Sequence, residues 1–140
     1  MKKDALFCVG QKAFIEKDGK VLVVWNKYSL DFPGGRLNKN EVNIVNKDGV
    51  DYSILSESLK REVVEETGLE IEIIEPFINW MLFRSGKKMF IASYKCKWLA
   101  GEVKLSDEHD KYEWVTKDDY VKFNDNSEYF NILEKYFKKQ

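Results

Sequence analysis

Arg61-Glu62-Val63-Val64-Glu65-Glu66-Thr67-Gly68-Leu69 decides how this chain is to be read. It closes Ile54–Thr67, a run of good helix formers that Ser53 or Asp51 can cap at its start. Gly68 suits the left-handed position just past a helix end. Residues three and four apart share a helix face, so Glu62, Glu65 and Glu66 fall within an arc of roughly 100°. Arg61 stands four residues before Glu65, within reach of an ion pair. Leu59 and Val63 flank the arc and seat the helix on a sheet. Clustered glutamates alone describe many solvated helices, because an exposed like-charge pair costs only about 0.2–0.5 kcal/mol. Placement shifts the balance. These acids lie mid-helix and near the C-terminal end, where the macrodipole opposes negative charge. Pro33-Gly34-Gly35 lies upstream and reads as a turn that lets backbone approach a ligand. Hard oxygen donors on a rigid helix suit Mg²⁺, with Mn²⁺ as a substitute, and such ions bridge carboxylates to phosphates.

Working outward, Ala5 to Ile15 reads as a strand, and Asp18-Gly19 as the hairpin turn to Val21–Trp25. That second strand is apolar enough to be buried on both faces. Tyr28 to Pro33 leads into the glycines, and Leu37 to Asn40 reads as extended or loop. Val42 to Ser53 is polar. Asn46-Lys47-Asp48-Gly49 there is a turn signal for a small hairpin between Ile44-Val45 and Val50-Asp51-Tyr52. Glu70–Trp80 and Met89–Leu99 form two paired strands about Ser85-Gly86-Lys87-Lys88. Lys104 to Lys111 is a charged loop and Tyr112–Val115 a short strand. Thr116 caps a small helix through Val121. Ser127 to Lys138 places Tyr129, Ile132, Leu133 and Tyr136 at helical spacing. Strands, helix, strands, helix make an α/β (α+β) sandwich with a mixed sheet.

At 140 residues the expectation is one domain over residues 1–140, large enough for a core. The chain is 44% hydrophobic and 34% charged, which is globular rather than disordered. A net charge of −1 offers no basic field for nucleic acid or a membrane surface. The apolar runs are short of the roughly 20 residues that span a bilayer, and the N-terminus lacks a signal-peptide pattern. A cytoplasmic location is therefore expected. Cys8 and Cys96 have no metal-ligand spacing and read as two buried thiols.

The quoted stretch, joined to the glycines, resembles the signature of the Nudix hydrolase family. That signature runs Gly, five residues, Glu, seven residues, Arg-Glu, a hydrophobic residue, any residue, Glu-Glu, any residue, Gly, hydrophobic. Gly35 is followed by five residues and Glu41, and residues 61–69 match the second half completely. The departure is between them, where nineteen residues, Val42 to Lys60, stand in place of seven. The surplus of 12 reads as an insertion between turn and helix. If it instead precedes the first glutamate, Ser53 takes that place and the acid is missing. The insertion can line the pocket, close over it, or join a homodimer interface.

The resemblance implies a Nudix-like α/β/α sandwich and Mg²⁺-dependent hydrolysis of a diphosphate linkage. The substrate would be a small nucleotide, either a nucleoside triphosphate or another nucleoside diphosphate derivative. Glu62, Glu65 and Glu66 would ligate the metal, with Glu62 also a candidate base. Arg61 would orient the glutamates, Gly35 would offer its carbonyl to the metal, and Gly34 would permit the tight turn. Family members often add a glutamate from a loop ahead of a Trp-containing strand. Glu108, before Trp114, fits that role, and Glu113 is the lesser candidate. His109, the only histidine, is expected to be an exposed loop residue. Arg36 is a candidate phosphate partner. Trp25, Tyr28, Phe32, Trp80 and Phe83 are candidates for stacking a base, though most aromatics of such a domain are core. Lys87-Lys88 reads as turn decoration. The competing class is a Nudix-like module that binds a nucleotide without cleaving it. Retention of Arg61, Glu62, Glu65 and Glu66 argues against it.

Overall fold

The structure, a computed structural model, describes residues 2–42 and 48–138. Strand β1 (Cys8–Lys17) turns at Asp18 and Gly19 into β2 (Lys20–Trp25). Both turn residues have positive φ, 52° and 77°, the backbone twist that a two-residue hairpin requires. Then come β3 (Leu30–Asp31), β4 (Gly34–Arg36), a short helix α1 (Lys39–Val42) and the long helix α2 (Ile54–Thr67). Strands β5 (Glu70–Arg84) and β6 (Lys87–Ala100) form a long hairpin. Strand β7 (Lys111–Val115), a 3₁₀ turn (Tyr120–Phe123) and α3 (Glu128–Lys138) end the chain.

The sheet runs β3-β2-β1-β6-β5, with β4 added to β1 and β7 to β2. It is mixed, since β1 lies parallel to β6 over Cys8–Glu16 while the other pairings are antiparallel. Alternation along β1 and β2 builds two cores. Phe14, Val21 and Val23 point to one face, packed with Phe130, Leu133 and Tyr136 of α3. Ala13, Ile15, Leu22 and Val24 point to the other, packed with Leu59 and Val63 of α2. The result is the expected α/β/α sandwich. Val21 to Val24 are all buried, as a strand covered on both faces requires.

Several local expectations are corrected. The glycines are not a turn. Gly34–Arg36 is extended and pairs with Gly10–Lys12, while the far end of β1 pairs with β2. One edge of β1 thus serves two partners, and Ala13 N–H bridges the change-over by donating to Pro33 O at 2.8 Å. Lys39–Val42 is helical, because Asn38 caps it. Its side chain accepts from Glu41 N–H at 3.1 Å while Glu41 accepts from Asn38 N–H at 3.0 Å, a reciprocal capping box. Asp51, not Ser53, caps α2, its Oδ1 accepting from Ser53 and Ile54 N–H at 2.8 Å each. Gly68 takes the left-handed position, φ 75°, and donates to Val64 O. The proposed hairpin about residues 46–49 falls partly outside the described residues, and Val50-Asp51-Tyr52 is not a strand. Cys8 is exposed, lying at the first residue of β1, whereas Cys96 is buried.

Candidate active site

The split edge of β1 places β4 directly against α2. Gly35 faces Glu62 so closely that a Cβ there would stand 2.6 Å from the Glu62 carboxylate carbon. Gly34 has φ 154°, and a Cβ on it would strike the backbone carbonyl of Gln11. Only glycine lets both approaches occur. Gly34 N–H donates to Glu66 Oε2 at 3.1 Å. Glu66, only 3% exposed, is the one acid of the α2 cluster drawn fully inside.

Arg61 organises the acids. Its guanidinium reaches Glu65 at 2.8 Å, Glu41 at 3.0 Å and Glu62 at 3.1 Å. The Glu41 contact bears on the insertion. Five residues separate Glu41 from Gly35, as the signature expects of its first glutamate, and Arg61 ties it to α2. Glu65 is held by both oxygens and is half exposed.

An open cleft of about 940 Å³ runs across this region. Glu62, Glu66, Glu108, His109, Gly34, Gly35 and Arg36 are among its lining residues. One ligand atom each of Glu66, Glu108 and His109 lies within 4.8 Å of the others. The structure therefore brings together Gly35, Glu62, Glu66, Glu108 and Arg36. Glu65 and Arg61 stand beside the lining, and Glu113 lies exposed on β7 away from it. Tyr28 and Phe83 are exposed and do line the cleft. Two aromatic candidates are corrected. Phe32 is 0% exposed and stacks between Phe14 and Tyr129, leaving no free face for a base. Trp25 packs on Phe123 and under Lys111, outside the cleft lining. Trp80 leans edge-on against Tyr129 behind it.

His109 is also corrected. Its side chain is 4% exposed, between Asp31 (Nε2 to Oδ2, 3.8 Å) and Glu66 (Nδ1 to Oε1, 3.5 Å). Beneath it lies an ion pair that sequence reading missed, Lys12 Nζ to Asp31 Oδ1 at 3.0 Å. The available signal was Lys12 itself. A lysine beside the apolar run Ala13–Ile15 of a central strand needs a buried partner.

Electrostatics follow from this packing. Burial pushes the Glu66 carboxyl up to about 7, against the pull of Lys12 and His109. Burial also raises Glu62, Arg61 opposing it. Asp31 behaves oppositely. Burial would raise it, but Lys12, the nearby His109 ring and the hydrogen bond from Phe32 N–H hold it at about 2. The cleft thus collects carboxylates that burial and mutual repulsion disfavour as anions, beside a backbone kept bare of side chains. That donor set fits a divalent cation with oxygen ligands. Glu65 can join it at small cost, since an exposed ion pair such as Arg61–Glu65 is worth only about 0.2–1 kcal/mol.

A sequence model of the NUDIX domain matches residues 12–136. Among solved structures, the MutT protein from Methanosarcina mazei Go1 superposes with a TM-score of 0.74 at 22% identity, covering 99% of this chain and 97% of that one. An ADP-ribose pyrophosphatase from Streptococcus suis 89-1591 gives 0.55 at 22% identity, covering 80% and 75%. A UDP-X diphosphatase gives 0.60 at 22% identity, covering 84% of this chain and 54% of that one. Comparison with curated proteins returns no match. The structural likenesses establish the fold, and the domain match, spanning nearly the whole chain, shows that it belongs to the Nudix family of pyrophosphohydrolases.

Proposed function

We propose that this chain hydrolyses a diphosphate linkage in a small nucleoside diphosphate derivative or nucleoside triphosphate, with Mg²⁺ or Mn²⁺ as the required cation. The observation that carries this reading is Glu66. It is buried, bonded by one oxygen to Gly34 N–H, and clustered with Glu108 and His109 in an open cleft. A buried carboxylate facing further acids has little reason to be there without a cation to compensate it.

Glu62, Glu66 and the Gly35 carbonyl would hold the ion, with Glu65 and Glu108 as further donors. When bound, the ion neutralises phosphate charge and acidifies water. Arg61 keeps Glu62 and Glu65 in register on α2 and tied to Glu41. The Gly34-Gly35 backbone lets a phosphate approach without a side chain intervening. Arg36, exposed at the cleft, offers a forked donor to a phosphate oxygen. Glu62, the acid nearest the bare Gly35 backbone, accepts the proton of the attacking water.

The names of two structural relatives point to ADP-ribose and to a UDP derivative, and the sequence resemblance adds nucleoside triphosphates. The test is hydrolysis of such a panel with and without a chelator. Chelator-sensitive release of a nucleoside monophosphate or of pyrophosphate is expected. Tight nucleotide binding with no turnover on any member would favour the binding-module reading instead.

A further inference from the structure

We propose that His109 Nδ1 is itself a ligand of the divalent cation, so that this site is a mixed nitrogen–oxygen centre with Glu66 and Glu108. The inference rests on the cleft being a cation site, as argued above.

Three observations carry it. The first is an orphan. His109 Nδ1 is buried and makes no hydrogen bond among the described residues, although its side chain is 4% exposed. A buried polar atom without a partner costs roughly 1–3 kcal/mol and calls for an explanation. The second is direction. Nδ1 points at the Glu66 carboxylate, 3.5 Å away, and with one oxygen each of Glu66 and Glu108 it forms a set spanning at most 4.8 Å. Three donors so placed on one wall of an open cleft leave the remaining positions to Glu62, the Gly35 carbonyl, water or a phosphate oxygen. The third is the far side of the ring, where Nε2 faces Asp31 Oδ2. Metal-bound imidazoles direct their other N–H at a carboxylate, which fixes the tautomer and strengthens the donor. Asp31 is anchored for this. Its Oδ1 accepts from Lys12 at 3.0 Å and from Phe32 N–H at 2.7 Å, and Oδ2 accepts from Asn26 Nδ2 at 3.2 Å. With the proton on Nε2, the Nδ1 lone pair is directed toward the Glu66 carboxylate.

A nitrogen donor changes metal choice. Imidazole suits the later transition ions such as Ni²⁺ and Zn²⁺, whereas Mg²⁺ and Mn²⁺ are suited to oxygen donors. The His109 nitrogen should therefore raise the affinity for Ni²⁺ more than that for Mg²⁺. His109→Asn is expected to weaken Ni²⁺ binding roughly tenfold and Mg²⁺ binding less.

The deciding measurement needs no variant, because the chain has a single histidine. Pulsed EPR of Mn²⁺ bound to the untagged full-length chain, with histidine supplied in ordinary and in heavy-nitrogen form, reads the contact directly. A nitrogen modulation that changes with the isotope is the expected result. Bound Mn²⁺ with no histidine modulation would overturn the proposal, leave the hydrolase reading standing, and make His109 a plain ion-pair partner of Asp31 and Glu66. Failure to bind Mn²⁺ at all would overturn both.

Discussion

Arg61 Nη2 stands 3.0 Å from Glu41 Oε2, so one guanidinium ties the short helix before the insertion to the acid helix after it. The contact supports placing the surplus residues after Glu41. Glu41→Gln should therefore loosen Arg61 and lower kcat a few-fold. Stability should change by no more than about 1 kcal/mol, since Arg61 is partly exposed. Ser53→Ala should leave kcat alone, because the Ser53 side chain does not cap α2. Steady-state kinetics of the two variants test the pair. The opposite pattern would move the insertion ahead of the first glutamate.

Gly35→Ala puts a methyl group 2.6 Å from the Glu62 carboxylate carbon. Glu62 must swing away or β4 must shift. A misplacement of about 1 Å at a reacting centre costs on the order of 100-fold in rate. We expect a kcat loss of that order with far-UV circular dichroism unchanged. Wild-type kcat in this variant would show that the close approach is not used.

Lys12 and Asp31 are a pair whose halves cannot stand alone. Lys12→Met leaves a buried carboxylate unpaired and should cost about 3–5 kcal/mol in urea unfolding. Replacing Asp31 by Leu in the same chain should recover much of that loss.

The same pair sets a pH dependence. The folded Asp31 carboxyl titrates at about 2, below its ordinary 3.8, because Lys12 outweighs the effect of burial. Its contribution is complete above its unfolded pKa and is lost as the pH falls through the folded value, about 2 kcal/mol in all. Lys12 is shifted upward from 10.5, Asp31 again overriding burial, so its share is complete below that pH and lost well above it. Urea midpoints of wild type and of the double variant should converge toward pH 2. Parallel curves would contradict the assignment.

The two thiols should differ sharply. Burial pushes Cys96 up to about 12, while Cys8 is exposed. At pH 8 one thiol of the native chain should react with a disulfide reagent, and two after denaturation. Two fast-reacting thiols in the native state would contradict the burial.

The fold was legible where periodicity is strong. Val21–Trp25, Ile54–Thr67 and the closing helix carry apolar patterns that only their observed structures can bury, and Asp18-Gly19 and Ser85-Gly86 turn where expected. The acid cluster was legible because spacing on a helix dictates a face. What stayed hidden depends on distant packing. His109 sits in a charged loop with no period, and its burial comes from Asp31 and Glu66, far away in sequence. Phe32 adjoins the glycines and suggested a site position, yet α3 and β1 enclose it. Gly34-Gly35 has the composition of a turn, but its extended form comes from pairing with Gly10–Lys12, which local sequence does not encode.

The proposed reaction is attack of water on phosphorus at a carboxylate-built, cation-dependent centre. The most direct test is turnover of ADP-ribose and nucleoside triphosphates in heavy-oxygen water with Mg²⁺ or Mn²⁺, for wild type and Glu62→Gln side by side. The expected result is one heavy oxygen in a phosphate-bearing product of the wild type, with turnover lost in the variant. Cation-independent turnover, or equal rates for the two proteins, would contradict the account.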